Sequence, residues 1–175
     1  MTAPRILIAG VGNIFLGDDG FGVEVAQQLM THKLPDSVRV VDFGIRGFDL
    51  AYALMDDYDA TILVDATPRG GAPGTLYKIE GDLSELESLT DQQMAVETHG
   101  MSPTRVFGMV KAMGGEPRRL FIVGCEPATL EADEEGRIGL SSLVSATVNE
   151  AILMIDSLIN EILYPQSHRA TQTSH

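Results

Sequence analysis

Three residues far apart in the chain, Asp19, Asp65 and His99, are of the types that hold a divalent metal ion, and two of them stand where an apolar run gives way to a turn. Two carboxylates and an imidazole suit zinc, nickel, iron or manganese and leave coordination positions open for substrate or water. Each also has a plainer reading. A histidine before a helix is more often solvated or capping than ligating, and an aspartate at a helix start is commonly a cap. Asp65 is the most telling of the three, because it ends the apolar stretch Ala60-Thr61-Ile62-Leu63-Val64. A carboxylate there is at least partly desolvated, which is costly unless it is paired, hydrogen-bonded or ligating. Asp42 closes a similar run, but the glycine-containing loop after it offers backbone N–H groups to satisfy it. Cys125, followed by Glu126 and Pro127, could be a nucleophile; a small buried thiol is the commoner role.

The elements that must carry these residues are legible as strands and helices in alternation. Ile6, Leu7, Ile8 and Ala9 are apolar at successive positions, which suits a strand covered on both faces, hence a parallel sheet. The turn Gly10-Val11-Gly12-Asn13 follows, and Asp18 is expected to cap a helix whose apolar positions include Val23, Val25, Ala26 and Leu29. Residues 38–43 and 60–66 read as the second and third strands, each ending in or next to an aspartate, with a short helix over 48–54 between them. Residues 75–80 read as a fourth strand. The connection before it has no room for a crossover helix, so it is expected to run antiparallel at an edge. A helix over 104–113 stops at Gly114-Gly115. Residues 120–125 form the fifth strand, and Ser141 is placed as the cap of a long last helix carrying Val144, Val148, Ile152, Ile155, Ile159 and Ile162 on one stripe.

The predicted architecture is therefore a single α/β domain over residues 1–164, a three-layer sandwich. Its sheet has about five strands and is mostly parallel and twisted, with one antiparallel edge strand and helices on both faces. Residues 165–175 are read as a flexible polar tail. In such sheets ligands bind at the carboxyl ends of the strands, so right-handed connections would bring Asp19, Asp65 and His99 to one edge.

Composition narrows the partners. Twenty-five acidic residues against twelve Lys and Arg give a formal net charge of -13, which disfavours nucleic acid or an anionic membrane as the main partner and favours a basic or metal-bearing one. A single cysteine excludes an internal disulfide framework and agrees with a reducing cytoplasm. No targeting or membrane-spanning segment is read. The Gly-x-Gly turn invites a dinucleotide reading, but Phe15 stands where its third glycine belongs, and Asp18-Asp19 would repel a pyrophosphate from the helix start.

Taken together, four motifs in order resemble the hydrogenase maturation endopeptidases. Gly10-x-Gly12-Asn13-x4-Asp18-Asp19-x2-Gly22 is similar to that family's N-terminal signature, Asp42-Phe43-Gly44-Ile45-Arg46-Gly47 to its loop after strand two, Val64-Asp65-Ala66 to its strand-three aspartate, and Thr98-His99-Gly100 to its histidine segment. The resemblance covers about residues 5–160. It implies an endopeptidase that removes a C-terminal extension from the large-subunit precursor of a [NiFe] hydrogenase after nickel insertion. Asp19, Asp65 and His99 would then be the catalytic and nickel-binding positions. Family members often have glutamate where Asp19 stands. The nickel would arrive on the substrate rather than reside in the protease. Two other readings remain from the residues themselves: a zinc-dependent peptidase or amidohydrolase with its own metal, and a non-enzymatic nickel-binding chaperone.

Overall fold

The computed structural model of the chain describes residues 2–81, 103–116 and 118–165. Five strands form one sheet: β1 (Ile6–Val11), β2 (Val38–Gly44), β3 (Ala60–Ala66), β4 (Leu76–Gly81) and β5 (Arg119–Cys125). Their spatial order is β2-β1-β3-β5-β4. β1 pairs in parallel with β2 and β3, β3 in parallel with β5, and β4 lies antiparallel against β5 at the edge. This is the predicted mixed sheet.

Side-chain alternation along β1 divides the core in two. Ile6 and Ile8 join Phe21, Val25 and Leu29 of α1 (Phe21–Leu29), together with the apolar stripe of α5 (Val148–Leu163). Leu7, Ala9 and Val11 face the other way, against Leu50, Ala51 and Leu54 of α2 (Gly47–Leu54) and Val110 of α3 (Pro103–Ala112). Both faces of β1 are therefore dry, which is why its sequence shows a continuous apolar run instead of alternation.

Two local expectations are corrected. Asp18 does not cap α1; it sits inside a 3-10 turn, Gly17–Gly20, and α1 begins from Gly20 with no side-chain cap. Ser141 caps only the short α4 (Ser142–Ser145), its hydroxyl accepting from the Val144 N–H. The long helix is a separate element. At the break the Thr147 N–H and hydroxyl both donate to the Val144 carbonyl, at 3.0 and 2.7 Å, so a side chain competes for the bond that would have continued the helix. The stretch Ser142–Leu163 has the length and apolarity of a membrane span, but Val148, Ala151, Ile152, Ile155, Leu158, Ile159 and Ile162 are buried in the sheet's core. Of the predicted polar tail, residues 165–175, all but Pro165 lies outside the described residues.

Candidate functional site

The carboxyl ends of β1, β2, β3 and β5 meet at one edge of the sheet, and glycines set how closely the parts there approach. A Cβ at Gly22 would overlap the carbonyls of Val64 and Val11, so α1 can lie directly over the ends of β1 and β3 only because that side chain is missing. Gly12, with φ +139°, turns the chain so tightly that a Cβ would strike the Asp19 carbonyl. Its N–H donates to the Gly44 carbonyl at 2.9 Å, joining the loops after β1 and β2.

Within this frame Asp19 and Asp65 come together. Asp19 is half-buried, and its Oδ2 accepts the Asn13 N–H at 2.8 Å, which folds the β1 loop over its carboxylate. Asp65 keeps only part of its surface open and is the penultimate residue of β3. Burial is the main cause that pushes its carboxyl well above the usual carboxylate range, and the nearby negative charge of Asp19 adds to the effect. Two acids so placed, with one short of solvent, are poised either to share a proton or to receive a cation.

The remaining candidates sort differently. His99 lies outside the described residues. Among the described residues no group of three or more His, Cys, Asp or Glu is assembled as a metal cage. Asp42 is satisfied much as its loop suggested: Oδ1 accepts the Gly44 N–H at 2.9 Å, and Oδ2 accepts from Gln27 Nε2 at 3.2 Å. Cys125 is fully buried, and burial raises its thiol pKa, which disfavours the thiolate that a nucleophile requires.

Two carboxylates hold the frame. Asp18 is fully buried and gathers four donors: the Ala128 and Thr129 N–H groups on Oδ2 at 2.8 and 3.2 Å, the Ser141 N–H on Oδ1 at 2.7 Å, and the Ser141 hydroxyl on Oδ2 at 2.9 Å. It thereby ties the turn that carries Asp19 to the segment ahead of α4. Glu126, 5% exposed, does the same for the loop that follows Asp65. Its carboxylate accepts the Arg69 N–H at 2.8 Å, the Gly70 N–H at 3.2 Å and the Tyr77 hydroxyl at 2.8 Å, and the backbone donors hold its pKa below the usual range. The sequence reading passed over Glu126. It carries the same signal that marked Asp65, an acid directly after an apolar strand.

Comparison with known proteins agrees with this geometry. The family model for hydrogenase maturation proteases matches residues 23–158. The chain is 31% identical over 159 residues to the hydrogenase 2 maturation protease of Escherichia coli K12, covering 90% of this chain and 92% of that protein. It is 35% identical over 131 residues to the hydrogenase expression/formation protein HupD of Rhizobium leguminosarum bv. viciae; that match takes in 74% of this chain but only 62% of HupD, so it spans about three-fifths of that relative's length. Among solved structures, the hydrogenase maturating endopeptidase HybD from E. coli superposes with a TM-score of 0.69 at 30% identity, over 90% of this chain and 93% of that one. A shared sheet, a family match over most of the chain and relatives of this similarity lead to one conclusion: the chain belongs to the hydrogenase maturation protease family.

Proposed function

We propose that this protein is an endopeptidase that removes the C-terminal extension of a [NiFe] hydrogenase large-subunit precursor once nickel has been inserted, and that it works in the reducing cytoplasm. The observation that carries the reading is the pairing of Asp19 and Asp65 at the ligand-binding edge of the sheet. The loss of water and, secondarily, the neighbouring carboxylate make Asp65 reluctant to ionise alone, so the pair gains from a cation delivered to it.

In this reading nickel is part of the substrate, already held by the precursor. Asp19 and Asp65, with His99, bind it from the protease side and so hold the scissile bond in a fixed place. Bound nickel supplies Lewis-acid polarisation of a neighbouring carbonyl or activation of a water. The protein contributes positioning: the Asn13 N–H orients Asp19, and the Glu126 tie fixes the loop beyond Asp65. Recognition through the metal also explains how an uncharged precursor would be left uncut, since without nickel the two acids have nothing to grip.

The test is cleavage of purified precursor, with and without nickel, followed by intact-mass measurement. The wild-type protein is expected to shorten only the nickel-loaded precursor, and Asp65→Asn and His99→Ala to lower the rate at least about a hundredfold, the scale for losing a metal-positioning group. Near-normal cleavage by either variant would overturn that ligand assignment. An unchanged precursor mass would point to a nickel-binding chaperone, and stoichiometric zinc in protein purified without chelator to a peptidase with a resident metal.

A further inference from the structure

Asp65 and Asp19 reach the same edge of the sheet by unequal means. Asp65 lies inside β3, and its backbone is held in register with Gly124 of β5. Asp19 lies well beyond Val11, where β1 ends, so the pairing of β1 with β3 does not by itself set its place. The chain that leaves β5 reaches both. On the β3 side, the Thr67 N–H donates to the Cys125 carbonyl at 2.8 Å, and the Thr67 side chain occupies the space that a Cβ at Gly124 would need. Glu126 follows at once. Its carboxylate takes the Arg69 and Gly70 N–H groups and the Tyr77 hydroxyl, its N–H donates to the Thr75 carbonyl at 2.8 Å, and its carbonyl accepts the Gly74 N–H at 2.8 Å. The point where the chain leaves the sheet is thus fixed by side chain and backbone together. Pro127, with φ locked by its ring, comes next. Ala128 and Thr129 then grip the turn that carries Asp19: their N–H groups bind the Asp18 carboxylate, and the Thr129 carbonyl accepts the Asp18 N–H at 2.9 Å. Gly17, at φ +57°, completes the seat, because a Cβ there would stand 3.0 Å from the Thr129 carbonyl. Even fully extended, the chain from Glu126 to Thr129 spans no more than about 11 Å.

We propose that residues 126–129 are a strap that carries the register of Asp65 across to Asp19, and that Glu126 is the positioning residue at its root. The separation of the two acids is then set through β5, not by the loop after β1 alone. The inference rests on the functional reading above and deepens it. A metal ion arriving on a client must be met by both carboxylates at once, and such a site works only when its ligands are held in place by bonds to their surroundings. Neither carboxylate of the strap touches the metal in this arrangement. Asp18 and Glu126 act at its two ends, each by collecting backbone donors from the loop that bears the acid next to it, and each is buried, so water does not compete for those donors.

The experiment compares wild-type protein with Glu126→Ala, Glu126→Gln, Asp18→Asn and the double variant Glu126→Ala/Asp18→Asn. Ile155→Val, a change buried in α5, controls for lost stability alone. Amide hydrogen exchange of the nickel-free proteins is read first. Glu126→Ala is expected to speed exchange at least about tenfold at the Asp18 amide, which bonds Thr129 and not Glu126, while the Ile8 and Ile62 amides of the central strands keep their wild-type rates. Ile155→Val is expected to leave the Asp18 amide unchanged. Cleavage of nickel-loaded precursor is read second. Glu126→Ala is expected to lose roughly ten- to a hundredfold in kcat/KM, and Glu126→Gln, whose remaining oxygen still takes the Arg69 N–H and the Tyr77 hydroxyl, to stay within about threefold of wild type. The double variant is expected to lose no more than the worse single one, since a strap cut at either end no longer transmits position. Faster exchange confined to the 67–71 loop, or losses that multiply in the double variant, would mean two independent ties and overturn the strap. If the variants at Asp18 do not fold, the Asp18 amide in Glu126→Ala decides alone. If the wild-type protein leaves the precursor uncut, the functional reading fails and the positioning role falls with it, whereas the exchange result still decides whether the two loops are coupled.

Discussion

At the scale of single residues, Asp65 shows how a site's chemistry conflicts with the fold's stability. Its usual carboxyl pKa is 3.8, and in the folded chain burial and the charge of Asp19 raise it well above that. The folded state therefore holds a proton that the unfolded state has released across the window between those two values. Stability falls as pH rises through that window, and above it the ionised group is a constant cost. Asp65→Asn removes the charge and keeps the shape. The nickel-free variant is therefore expected to melt higher than the wild type at pH 7–8, by roughly 2–4 °C for each kcal/mol relieved in a domain this size, with the difference shrinking toward pH 4. Thermal unfolding of both proteins from pH 4 to 8 checks it; a variant that is less stable at pH 8 would mean that Asp65 is held by favourable partners and is not crowded by Asp19. Asp65 was legible in the sequence because an acid that ends an apolar strand has few ways to be satisfied. Its encounter with Asp19 was only an expectation from the topology.

At the scale of elements, the sheet was readable and its fastenings were not. Continuous apolar runs marked the buried strands, and the short connection before β4 fixed its direction, because both signals are local. Asp18 was misread as a helix cap because that role is also local, whereas its partners Ala128, Thr129 and Ser141 lie 110, 111 and 123 residues away. No spacing rule reports such a bond. The fastening is strong on physical grounds: a charged acceptor with no exposure holds three backbone donors and a hydroxyl. Asp18→Asn turns one oxygen into a donor that must face other donors, leaving buried groups unpaired. The expected loss is about 2–4 kcal/mol in urea unfolding, and Ser141→Ala should cost about 1–2 kcal/mol, since it removes one hydroxyl bond from the same carboxylate and the N-cap of α4. If Asp18→Asn unfolds within 0.5 kcal/mol (about the scatter of a surface change) of wild type, the clamp is not holding the turn beneath Asp19.

At the scale of the whole molecule, the acidic excess becomes a field, and several of the few cations are already paired with acids. Arg46 pairs with Asp49 at 3.1 Å, Arg118 with Asp59 at 3.0 Å, Arg119 with Glu80 at 3.2 Å and Lys78 with Glu161 at 3.5 Å. All four pairs are substantially exposed, so each adds little to stability, but each masks a positive charge at short range. What reaches a distant partner is the net charge of -13. A partner that presents basic residues is then drawn in before any contact forms. Salt shortens the reach of this attraction, to about 10 Å at 0.1 M and about 3 Å at 1 M. Stopped-flow association of the protein with nickel-loaded precursor is therefore expected to slow by roughly tenfold between 0.05 and 0.5 M salt, while single-turnover cleavage of the preformed complex changes little, because the buried chemistry is screened far less. An association rate that stays flat over that range would mean that net charge plays no part in capture, and one that rises with salt would mean that the client surface is itself acidic.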